Sequence, residues 1–109
     1  MGKFVKGDIV VVPFPFSDLS GNKRRPALVL TDLSGDDILL CQITSQPSKD
    51  LFAITLNAND FVSGSLPVVS FIRSLRIFTA DKNIIIRKAG KITPKLMDKV
   101  IDCIIYALK

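Results

Sequence analysis

Apolar positions along the chain fall in short β-type runs up to about residue 87 and switch to a helical period at the end. Asp8-Ile9-Val10-Val11-Val12 is β-branched and opens behind Gly7, so it reads as a first strand that Pro13 and Pro15 confine or end. Pro26 to Thr31 reads as the second strand, Leu33-Ser34-Gly35-Asp36-Asp37 as a turn, and Ile38 to Thr44 as the third, which together make a meander. Leu51 to Leu56 forms another strand, Asn57 to Gly64 a polar turn, and Ser65 to Ile72 a further strand, with Arg76 to Thr79 following it. The apolar run Ile84-Ile85-Ile86 precedes Lys88-Ala89-Gly90-Lys91, which reads as a turn.

The final segment changes period. Leu96, Met97, Val100, Ile101, Ile104, Ile105 and Leu108 recur on one helical face, with Thr93 as the cap and Pro94 at the first helical position. Lys95, Asp98, Lys99 and Asp102 fall on the opposite, solvated face. The pattern therefore predicts a mainly β fold with a C-terminal helix, in one domain spanning residues 1–109, with no repeat or linker.

Composition narrows the chemistry. At 109 residues and 48% hydrophobic content the chain is long enough to bury a core without staples. No apolar run approaches the ~20 residues of a membrane span and no signal peptide is evident, so a cytoplasmic protein without a membrane partner is expected. Cys41 and Cys103 sit in apolar segments with no companion at ligand spacing, which favours buried free thiols over a zinc site. Histidine is absent, which excludes Ser-His-Asp and Cys-His catalysis and leaves acid-base work to Arg, Lys, Thr, Ser, Tyr or carboxylates. Fifteen Lys and Arg against ten Asp and Glu give a net charge of +5, concentrated at residues 23–25, 73–76 and 87–99. That balance favours a polyanionic partner.

Two stretches carry candidate chemistry. In Asn22-Lys23-Arg24-Arg25-Pro26 three cations adjoin an apolar strand, so Ser17 to Arg25 reads as a rim loop with its charge at the far end. Proline holds the backbone of Arg25 extended, and a fixed guanidinium fork suits a phosphodiester. A solvated loop would carry such a triplet too. The third strand ends in Thr44-Ser45-Gln46, three polar side chains able to orient a hydroxyl or a phosphate oxygen, although a strand end with ordinary turn chemistry has the same composition. Phe14 and Phe16 read either as core aromatics or as a base-stacking surface, with Phe16 nearer the polar loop. Arg73 and Arg76 bracket a second strand junction.

Gly7-Asp8-Ile9-Val10, Pro13-Phe14-Pro15-Phe16-Ser17-Asp18, Lys23-Arg24-Arg25-Pro26-Ala27-Leu28-Val29-Leu30 and Ile43-Thr44-Ser45 closely resemble the MazF/PemK family of toxin endoribonucleases. Ser70-Phe71-Ile72-Arg73, Phe78-Thr79-Ala80-Asp81-Lys82 and the terminal helix extend the resemblance over nearly the whole chain. It implies an SH3-like small β-barrel with a C-terminal helix, a homodimer, and a type II toxin neutralised by a cognate antitoxin. It also implies sequence-specific cleavage of single-stranded RNA without metal or cofactor. Arg25 matches the family's catalytic arginine and Thr44 its catalytic threonine. Lys23, Arg24, Phe16, Ser45, Gln46, Arg73 and Arg76 are the expected RNA-binding residues. Arg73 matches an arginine that some members use, but Leu75 stands where those members carry Asp, so an Asp-dependent mechanism is not expected.

RNA can cleave itself when its 2′-hydroxyl attacks in line, so a protein need only orient that attack and stabilise the phosphorane. The expected products are a 2′,3′-cyclic phosphate and a 5′-hydroxyl. The competing reading is a non-catalytic nucleic-acid-binding SH3-like or OB-like barrel, in which the same arginines hold phosphates. A third is a structural barrel whose helix joins a larger complex.

Overall fold

The computed structural model describes residues 4–13, 23–47 and 49–109. Phe14, Phe16 and the predicted loop as far as Asn22 lie outside the described residues. Seven strands form one antiparallel sheet: β1 (Asp8–Pro13), β2 (Arg24–Asp32), β3 (Asp37–Thr44), β4 (Ala53–Leu56), β5 (Phe61–Gly64), β6 (Ser70–Asp81) and β7 (Arg87–Ile92). Their spatial order is β4-β6-β3-β2-β1-β7-β5, so the β1-β2-β3 meander is the centre of the sheet. The sheet curls into a half-barrel around α1 (Pro94–Leu108).

Alternation along the strands divides the interior in two. Ile9, Leu28, Cys41, Ile43, Ile54, Leu56, Ile72 and Ile92 share one face and receive Leu96, Met97 and Val100 of α1. Val10, Val12, Ala27, Val29, Ile38, Leu40 and Ala80 share the other, with Phe4, Phe78 and Ile85 packed on them. The central strands are buried on both sides, which is why they read as near-continuous apolar runs. The helix obeys its local signals: the Thr93 hydroxyl accepts from Leu96 N, Pro94 opens the first turn, and Lys95, Asp98, Lys99 and Asp102 are exposed. No helix of the described chain is long and apolar enough to cross a membrane.

Several sequence expectations change. Arg24 and Arg25 belong to β2 rather than to the loop, because Pro13 and Val12 of β1 pair with them. The predicted polar turn over 57–64 contains a short 3-10 turn and then β5, and the predicted turn over 88–91 lies within β7; the two strands pair with each other. Ser65 to Val69 is a loop, and β6 runs unbroken from Ser70 to Asp81 across the supposed junction. Its register against β3 jumps from Ile43–Ile72 to Cys41–Ile77, so residues 73–76 bulge out of the ladder. Finally, only Cys41 is fully buried; Cys103 is half-buried. Burial pushes the Cys41 thiol up to about 12, which keeps it protonated and unreactive at neutral pH.

Candidate RNA-cleavage site

The β2 start and the β3 end meet at one rim of the sheet. Val12 pairs with Arg25 and Ala27 with Gln42, and continuing the second register brings Arg25 level with Thr44. Both lie on the face that carries Val12, just beyond its apolar cluster. Arg25 and Thr44 are half-buried, whereas Lys23, Arg24, Ser45 and Gln46 are exposed. The Thr44 hydroxyl oxygen accepts from Gln46 N at 3.1 Å, which fixes the rotor and leaves its proton available to an incoming oxygen.

The neighbouring residues alternate onto the other face and line a cleft of about 430 Å³. Val11, Pro26 and Ile43 lie in it with Lys23, Arg24, Ser45, Ser70 and Arg87, and half-buried Arg25 contributes to the lining too. Leu66, Pro67 and Val68 of the β5–β6 loop complete the lining. Among the described residues no carboxylate is ion-paired with Arg24, Arg25 or Arg87. The charge of these three arginines is therefore not neutralised by a described carboxylate. Also among the described residues, no three Cys, Asp or Glu side chains are grouped so as to hold a metal ion.

The expected RNA-binding residues divide. Lys23, Arg24 and Ser45 line the cleft and Gln46 is adjacent in sequence, while Arg73 and Arg76 do not line it. Arg73 Nε lies 3.1 Å from Asp50 Oδ2, in an ion pair that ties the segment after Thr44 to β6. The Phe52 backbone N–H donates to Asp50, and this bond, helped by Arg73, holds the carboxyl below its ordinary range against the opposing effect of burial. Phe16 lies outside the described residues. Arg87, Ser70 and Leu66-Pro67-Val68 were not among the expected site residues. The basic run beginning at residue 87 was the one available signal, and it does not separate Arg87 from Lys88 and Lys91.

The sequence matches, over residues 5–108, the family described as PemK-like, MazF-like toxin of type II toxin-antitoxin system. No curated protein sequence matches the chain. Among solved structures, MazF from Deinococcus radiodurans superposes with a TM-score of 0.77 at 21% identity, covering 99% of this chain and 98% of that one. An endoribonuclease in complex with its cognate antitoxin, from a mycobacterial species, gives 0.76 at 15% identity over 97% and 95% of the two chains. A MazE–MazF complex from Deinococcus radiodurans gives 0.76 at 19% identity over 99% and 97%. Likeness at these identities establishes the shared fold, and the family match over nearly the whole sequence establishes the kinship: the chain belongs to the PemK-like, MazF-like toxins of type II toxin-antitoxin systems.

Proposed function

We propose that this protein is a metal-independent endoribonuclease that cuts single-stranded RNA at the rim shared by β2 and β3. The observation that carries the reading is Arg25 level with the oriented Thr44 hydroxyl and lining a cleft whose arginines have no carboxylate partner among the described residues. Arg25 stabilises the charge that grows on the nonbridging oxygens; it need not lose a proton to do so. Thr44, with Ser45 and Gln46 beside it, orients the 2′-hydroxyl or a phosphate oxygen. The 2′-oxygen bonds to phosphorus as the bond to the 5′-oxygen breaks, and the proton lost by the nucleophile is balanced by one gained at the leaving oxygen. A 2′,3′-cyclic phosphate and a 5′-hydroxyl result.

A binding barrel would hold RNA and DNA alike through phosphates and needs no 2′-hydroxyl. Incubation with labelled RNA and the matched DNA in EDTA, with end mapping, is expected to show cleavage of RNA alone. Intact RNA under those conditions would sink the nuclease reading.

Assembly and control follow from two surfaces. Ile105 and Leu108 of α1 are 46% and 77% exposed, and Leu75 and Ile77 of β6, the strand against which α1 packs, are also uncovered. A symmetric dimer would bury such apolar area and set two basic rims on one assembly. The rim would in turn attract an acidic segment of a cognate antitoxin that folds on binding and occludes Arg25. Sedimentation at micromolar concentration is expected to give a dimer; a monomer would contradict this arrangement.

A further inference from the structure

Arg87 occupies a row that crosses three strands. It pairs with Val11, which pairs with Pro26, and Arg24 lies two residues before Pro26 on the same face. Arg87 is exposed at the cleft, and no carboxylate among the described residues pairs with it. The apolar part of the lining is held in place. Ser65 N donates to Ala89 O at 3.3 Å, and the Ser70 hydroxyl donates to Val68 O at 3.0 Å. At Gly64 the backbone has φ +71°, and a Cβ would collide with the Ala89 carbonyl. Leu66, Pro67 and Val68 thus leave β5 directly beside β7 and line the same cleft as Arg24 and Arg87. Its volume falls within the ~300–1,000 Å³ usual for small-ligand sites.

An apolar segment and guanidinium groups lining one cleft fit a flat ring joined to a phosphate. We infer that Arg87 is a substrate-binding residue: the base next to the scissile linkage rests on Leu66-Pro67-Val68, and its phosphate is held by Arg87 with Arg24. The cleft then selects the nucleotide beside the cut, while Arg25 and Thr44 act on the linkage itself. This rests on the RNA-cleaving reading.

The test uses a fluorescein-labelled, mixed-sequence oligonucleotide of 2′-O-methyl RNA, which lacks the attacking hydroxyl, with anisotropy recorded over a range of salt. Arg87→Ala is expected to weaken binding about five- to tenfold. It should also flatten the slope of log affinity against log salt by about 0.7, one phosphate contact. Lys99→Ala, which removes the same charge from the solvated face of α1, is expected to change neither. In cleavage assays Arg87→Ala raises KM and largely spares kcat. Val68→Ser shifts which cleavage ends are mapped. Should the alanine variant melt early, Arg87→Lys carries the comparison, with the salt slope kept and affinity partly lost.

Wild-type affinity and slope in Arg87→Ala, or an equal change in Lys99→Ala, would overturn the inference. Unchanged cleavage ends in Val68→Ser would remove the base wall. The parent reading fails separately, if the wild-type protein does not bind the probe or if Arg25→Ala still cuts RNA.

Discussion

Asp8, fully buried at one end of the β1–β7 ladder, has the Lys88 and Lys91 ammonium groups 3.2 and 3.5 Å from one carboxylate oxygen. At the other end Arg87 stands opposite Val11 and opens on the cleft with no carboxylate partner among the described residues. The same short basic run therefore supplies charge in two ways. Asp8 Oδ2 also accepts from Val5 N at 2.9 Å, so its burial is offset by one hydrogen bond and two ammonium charges near Oδ1, and the two lysines are committed to the fold. Arg24, Arg25 and Arg87 at the rim are not committed in this way to any described carboxylate. A phosphate arriving there need not displace a carboxylate, which makes their charge available for binding.

The largest effect expected of this contrast is at the rim. Arg25→Ala should lower the rate of RNA cleavage by about two to three orders of magnitude with the melting temperature nearly unchanged, since the lost contact acts on developing charge. Arg25→Lys should recover little, because a point charge does not replace a planar fork. Full cleavage by folded Arg25→Ala would end the distinction between working and structural cations. Thr44→Ala should be severely slowed and Thr44→Ser only partly; equal activity of the two would reduce Thr44 to a strand end.

Asp8→Asn should invert that pattern. Its expected cost is about 1.5 to 3 kcal/mol of stability, the usual value of hydrogen bonds to a charged group. Chemical denaturation measures it, and activity per folded molecule should be near that of the wild type. A normal melting curve with lost cleavage would place Asp8 in the site instead.

The Asp50–Arg73 pair gives the smallest effect. Because the Asp50 carboxyl is held below its ordinary range, its contribution to stability is complete above the unfolded pKa of about 4 and is lost as pH falls through the lowered folded value. Asp50→Asn should therefore be less stable than the wild type at neutral pH, with the difference closing as pH falls below about 4, so that its acid limb is flatter. An unchanged acid limb would show that the pair contributes nothing measurable.

These comparisons mark what the sequence alone determined. The helix over 94–108 was legible to the residue, because a Thr cap, a Pro at the first position and a 3.6-residue period act over a few neighbours. The central strands were legible because burial on both faces makes them apolar throughout; Arg25 stood out as a loop cation held by the following proline, and Thr44 as the polar end of an apolar strand. β5 and β7 were not legible: Phe61-Val62-Ser63-Gly64 and Arg87-Lys88-Ala89-Gly90-Lys91-Ile92 carry turn residues and charge, and they become strands only by pairing with each other and with β1. The partner of Arg73 is Asp50, far along the chain, and nothing in either residue's neighbourhood announces it. Local propensity is written in adjacent residues, whereas strand order and the pairing of charges are settled when distant segments close on one another. The tertiary structure alone decided that Arg87 faces a cleft while Lys88 and Lys91 close on Asp8.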